Sequence, residues 1–128
     1  MSYTISNTVN LEFDAAIAAV TESLKTQGFG IITEIDLSNT LKNKIDKDIA
    51  PYKILGACNP NYAYEAVTNE PQVGVMLPCN VIVRQLENNQ VEIAAIDPIA
   101  SMMAIENDKL HVFASEVKAL LEKAVTSI

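Results

Sequence analysis

Two cysteines, each followed by asparagine, are the residues of this chain best suited to chemistry. Cys58-Asn59 lies in Gly56-Ala57-Cys58-Asn59-Pro60, and Cys79-Asn80 lies in Leu77-Pro78-Cys79-Asn80-Val81. Both stand at breaks in regular apolar stretches. Asn59-Pro60 reads as a helix start: asparagine caps well, and proline at the first helical position gives up only an NH that would be free anyway. Cys58 then precedes a helix N-terminus, where free NH groups and the dipole favour a thiolate. Burial at the end of an apolar strand pushes the other way, toward an inert thiol. Cys79 follows a proline that interrupts strand pairing, which either re-aims the side chain toward a site or seats it in the core. Cys58, assisted by Cys79, is therefore the best catalytic candidate. Cys58, Asn59, Tyr62, Cys79 and Asn80 form the candidate ligand-binding set.

The remaining polar groups offer less. Tyr62 and Tyr64 are two apart and cannot share a helix face; Tyr62 is expected to pack, Tyr64 to point toward solvent, a ligand or a second subunit. Glu65 reads as a solvated helical glutamate. The one histidine, His111, has no acid or serine at readable spacing for nucleophile-base work. Met76, Met102 and Met103 read as gap-filling core. There is no glycine-rich phosphate loop, no Gly-x-Ser-x-Gly elbow and no His-Glu-x-x-His. Two thiols fall short of the four ligands of structural zinc, there is no Cys-x-x-Cys, and no metal or cofactor is assigned.

Composition narrows the partners. The chain has 128 residues, 49% hydrophobic and 20% charged, which fits one globular domain over 1–128. Net charge is −7, from nine basic and sixteen acidic residues, with Arg84 the only arginine. Such a balance argues against nucleic acid and against anionic membranes. No apolar run approaches the roughly 18 to 20 residues needed to span a bilayer. The N-terminus lacks a basic region followed by an apolar one, so the expected location is the cytoplasm, with both cysteines as free thiols.

The elements that must position these residues follow from periodicity. Tyr3 to Val9 alternates as a strand, and Asn10 is expected to cap a helix with Phe13, Ala16, Ile17, Val20 and Leu24 inward, stopped at Gly28. Gly30 to Asp36 reads as a strand with Ile31, Thr33 and Ile35 on one side. Ser38 or Asn39 caps a short helix from Thr40 to about Lys47. Tyr52 to Cys58 is the third strand, and the helix opened by Asn59-Pro60 runs to about Asn69. Val73 to Gln85 is expected as one long strand with Pro78 at a bulge or edge. Asn88-Asn89 turns the chain into a strand from Val91 to Ile96. Asp97-Pro98 stops it, and the last helix begins at about Asn107, with Leu110, Phe113, Val117, Leu120 and Ala124 inward. The order β-α-β-(α)-β-α-β-β-α implies an α+β domain with helices packed on one face of a mainly antiparallel sheet.

Tyr52 through Pro60, followed by Tyr62-Ala63 and then Leu77-Pro78-Cys79-Asn80-Val81, resembles the domain of unknown function (DUF) 302 family, and the likeness continues through Asp97-Pro98 and Met102-Met103. The resemblance implies an α+β domain that forms homodimers. It marks Cys58, Asn59, Pro60, Pro78, Cys79 and Asn80 as positions carrying a shared function or fold requirement, without saying which. The resulting expectation is a non-enzymatic, homodimeric module that holds a small ligand or partner between the two Cys-Asn segments. The alternatives are a thiol-based redox or transfer enzyme using Cys58 with Cys79, and a soft-metal or haem protein using both thiols with His111 or a methionine.

Overall fold

The computed structural model describes residues 2–128, so Met1 lies outside the described residues. Five strands form one sheet: β1 (Thr4–Val9), β2 (Gly30–Asp36), β3 (Tyr52–Cys58), β4 (Cys79–Gln85) and β5 (Val91–Ile96). Their order is β1-β5-β4-β3-β2, and every neighbouring pair is antiparallel. The helices are α1 (Phe13–Thr26), α2 (Leu37–Ile45), α3 (Pro60–Asn69), α4 (Pro98–Ser101) and α5 (Asp108–Thr126), with a 3-10 helix at Pro71–Met76. The α+β reading of the sequence holds.

Local chemistry sets the corners. Asn88 and Asn89 both adopt left-handed backbone, φ 62° and 60°, which asparagine tolerates and the β4–β5 hairpin requires. Asn107 caps α5 by accepting from the Lys109 and Leu110 amides at 3.1 and 3.4 Å. α1 and α5 lie side by side on one face of the sheet. There Val20, Leu24, Leu121 and Val125 meet Leu55, Val81, Val83 and Ile93. A second, smaller cluster joins α3, the 3-10 helix and the start of α5 through Ala66, Val73, Met102, Leu110 and Ala114. The opposite face of the sheet carries Ile35, Ile54, Ile82, Ala94 and Ile96 on neighbouring strands.

Four local expectations are corrected. Asn10 does not cap α1: β1 runs on to Val9, the chain turns through Asn10-Leu11-Glu12, and Glu12 takes the cap position. The Asn10 side-chain carbonyl instead accepts from the Gln90 side-chain amide at 3.3 Å. α2 is capped by Asp36 rather than Ser38 or Asn39, because the Asp36 carboxylate reaches the Asn39 amide at 3.0 Å. In β2 a register shift between Ile31 and Thr33 flips the side-chain parity. Ile31 therefore packs on the core, whereas Ile35 is 47% exposed on the other face. Residues 73–85 are not one strand: Pro71 opens a 3-10 helix, and the ladder starts at Cys79, just after the proline that cannot donate to it. The Leu77–Pro78 peptide is cis.

Candidate functional site

The sequence-predicted residues can be placed one at a time. β3 ends at Cys58 and leads straight into α3, while β4 begins at Cys79, paired in register with Ala57. Both thiols line the same cavity, about 310 Å³ in volume, between the ends of β3 and β4, α3 and α5. Cys79 is pushed up to about 11 by burial first and by the neighbouring Cys58 second, so it stays protonated at neutral pH.

The cavity exists because small residues face it. Ala57 on β3, Ala63 and Ala66 on α3 and Ala114 on α5 all line the hollow, which leucine or isoleucine at those positions would fill. Leu110, Phe113 and Met102 complete its inner wall. Its outer end is marked by half-exposed Cys58, Asn59, Tyr62 and Ala63, with Ile32 62% exposed beside them. Among the described residues, no carboxylate, histidine or lysine lines it. The Asn59 amide, the Tyr62 phenol and two thiols are its only polar side chains.

Asn59 occupies the cap position of α3, yet its side chain does not cap. Its amide donates to the Gln27 carbonyl at 3.3 Å and lies against Gly28, tying the start of α3 to the turn between α1 and β2. Gly28 adopts φ 87°, and a Cβ there would come within 3.1 Å of that amide. Asn80 is the clear correction. It lies opposite Gly56, one residue past Cys79 on an alternating strand, so it faces away from the cavity and is exposed. It is not part of this site.

Tyr62 lines the cavity and packs edge-on against Phe113, with ring centroids 6.2 Å apart and planes at 68°. The Glu116 carboxylate beside its hydroxyl, with burial second, holds the phenol above its ordinary pKa. Tyr64 points outward, 68% exposed, and Glu65 is exposed. His111 is exposed on α5, its Nε2 2.7 Å from the Ile105 carbonyl, and does not reach the cavity. Of the methionines named from sequence, Met102 is buried in the wall, whereas Met76 and Met103 are exposed rather than core. No group of three His, Cys, Asp or Glu able to hold a metal occurs among the described residues.

Sequence reasoning missed two features. The four alanines were readable only as helix and strand filler, since their convergence depends on tertiary packing. Gly56 was passed over although it is sterically required: a Cβ there would stand 2.1 Å from the Thr33 hydroxyl and 2.7 Å from the Pro78 ring. Thr33 and the Pro78 ring therefore pack directly on the β3 backbone at Gly56.

A small α+β domain with a cysteine-lined cavity at one end of its sheet is the class that fold and site define. The chain belongs to the DUF302 family (domain of unknown function DUF302), whose profile matches residues 5–128. It is also similar in structure to an uncharacterized conserved DUF302 protein from Bacillus stearothermophilus, with 25% identity, a TM-score of 0.91 and 98% of each chain covered. No curated protein matches it. No helix among the described residues is long and apolar enough to cross a membrane.

Proposed function

We propose that the protein is a cytoplasmic, homodimeric binding module that holds one small apolar molecule in the cavity between Cys58 and Cys79. The observation that carries this reading is the hollow of about 310 Å³, apolar on nearly every side and reached by both cysteines. That volume falls at the small end of small-molecule sites, which run from about 300 to 1,000 Å³. A guest that fills it removes apolar surface from water, at about 25 cal/mol per Å² buried, and the thiols and Met102 offer it soft, polarisable partners.

The thiol-enzyme reading is weaker for a specific reason. With its pKa near 11, Cys79 is a thiolate in only about one molecule in 10⁴ at pH 7. No lining group serves as a base to correct that. The test uses toluene as the probe, titrated into isotope-labelled protein. The expected result is saturable shifts at Ala63, Ala66 and Ala114 with a Kd tighter than about 1 mM. Unchanged spectra at that concentration would remove the reading.

Dimerisation is supported by the face of the sheet opposite α1 and α5, where exposed Ile35 and half-buried Ile54 and Ile82 form a row across three strands. An antiparallel sheet facing water on one side ordinarily presents polar residues there. A second copy laid against this face covers those side chains. Ile82→Glu is expected to yield a folded monomer by light scattering, against a dimer for the parent chain. A parent chain that is monomeric at micromolar concentration refutes this part.

A further inference from the structure

We infer that Cys58 and Cys79 are a redox pair that joins as a disulfide and closes the cavity to its guest. The closing half of this rests on the ligand-binding reading; the cross-link itself does not.

The geometry starts from strand register. Cys79 is opposite Ala57, so Cys58 is one residue further along the facing strand. Opposed Cα atoms in an antiparallel ladder are about 4.5 to 5.5 Å apart and the rise per residue is about 3.4 Å, which sets these two Cα atoms about 6 Å apart. A disulfide spans about 4.4 to 6.8 Å between Cα atoms. Strict alternation would send the two side chains to opposite faces. β3 ends at Cys58, however, where the chain swings into α3, and both residues line one hollow. Both thiols are free, they are the only cysteines in the chain, and Cys79 senses the charge of Cys58.

The reaction needs a two-electron oxidant, and a hydroperoxide supplies it. Both thiols are partly exposed, but burial holds Cys79 protonated, so Cys58 reacts first with hydrogen peroxide: its sulfur bonds to one peroxide oxygen, the O–O bond breaks, and one water leaves after proton transfer. The small thiolate fraction of Cys79 then displaces hydroxide from the Cys58 sulfenic acid, and the proton that Cys79 released completes a second water; this step is slow at neutral pH and quickens as pH rises. Two thiols are oxidised to one disulfide, and hydrogen peroxide is reduced to two waters. The new bond ties together the two feet of residues 59–78, the segment that carries α3, the 3-10 helix and one wall of the cavity. It also draws both sulfurs into the outer end of the hollow.

Peroxide treatment of the full-length reduced protein tests the pair. The expected product is lighter by about 2 Da, has lost both alkylatable thiols, contains a Cys58–Cys79 peptide, and reverts with dithiothreitol. Its affinity for toluene is expected to fall at least about tenfold and to recover on reduction. In Cys58→Ser, which cannot form the bond, the affinity for toluene, whatever its value, is expected to be the same before and after peroxide. Oxidation of Cys58 to a sulfinic acid while Cys79 remains alkylatable would overturn the pair, as would a Cys58–Cys58 link between molecules. A cross-linked monomer that binds toluene as well as the reduced one overturns the closure alone. A reduced protein that ignores toluene removes the binding reading and the closure with it, and leaves the cross-link to be judged by mass.

Discussion

Between the sheet and its two long helices, Val20, Leu24, Leu121 and Val125 meet Leu55, Val81, Val83 and Ile93, and none of these is more than 1% exposed. Beside that cluster, Ala57, Ala63, Ala66 and Ala114 face a common cavity of about 310 Å³. Both regions are apolar, both use helix against strand, and α5 serves both. What separates them is side-chain volume at the facing positions. Branched residues on both sides interlock to the density of a crystal, whereas alanines on both sides leave room for something else. One helix thus carries two kinds of interior: its later turns close the core through Leu121 and Val125, and its early turns wall the hollow through Leu110 and Ala114.

Truncation at one site in each region exposes the difference most strongly. Leu121→Ala removes a fully buried side chain from the close-packed cluster and is expected to cost about 4 kcal/mol. Leu110→Ala removes an equally buried side chain that already borders the cavity, and is expected to cost about 2 kcal/mol. Chemical denaturation of both variants measures the gap. Equal costs would mean that the hollow is as tightly packed as the core, and the contrast would collapse.

Much of this layout was legible from residue order alone. β3, α3 and α5 followed from the short strand-like segment Tyr52–Cys58, from Asn59-Pro60 and from the apolar stripe that starts near Asn107, all of them local signals. The encounter of Cys58 with Cys79 was only an expectation, because the register that brings it about belongs to the pairing of β3 with β4. Parity was the commonest failure. A single extra residue at Ile32 moved Ile35 to the other face, and the same alternation that aims Cys79 inward aims Asn80 outward. Neither outcome is written near the residue concerned; each depends on where its partner strand begins.

A pH series sharpens the comparison next, because Cys79 belongs to the sheet and borders the cavity. Its pKa rises from an ordinary 9.0 to about 11 on folding, chiefly through burial. Below pH 9.0 the thiol is protonated in both the folded and unfolded chain, and its contribution is fully present. Between 9.0 and about 11 only the unfolded chain releases the proton, so stability declines as pH rises. The loss approaches about 2 to 3 kcal/mol at the upper end and is smaller across most of the window. Lysines and tyrosines also titrate there, so the measurement is the difference in unfolding free energy between the parent and Cys79→Ala. A difference that does not change with pH would place Cys79 in contact with water.

The smallest expected change in stability is the most discriminating between the two regions. Ala63 lies on α3, half-exposed, at the outer end of the cavity. Ala63→Leu keeps a strong helix former in place, with a propensity cost of only a few tenths of a kcal/mol, and directs about three carbons of new apolar volume into the hollow. Filling a void with apolar atoms stabilises, while crowding an occupied space costs about 1 to 3 kcal/mol. Stability is therefore expected to stay within about 0.5 kcal/mol of the parent, while saturable toluene binding disappears. The same substitution toward the packed cluster, Ala16→Leu at a fully buried position on α1, has no such space and falls on the crowding side. If both variants lost stability alike, the alanines of α3 would be packing residues like those of α1. The cavity would then have no claim to hold a guest.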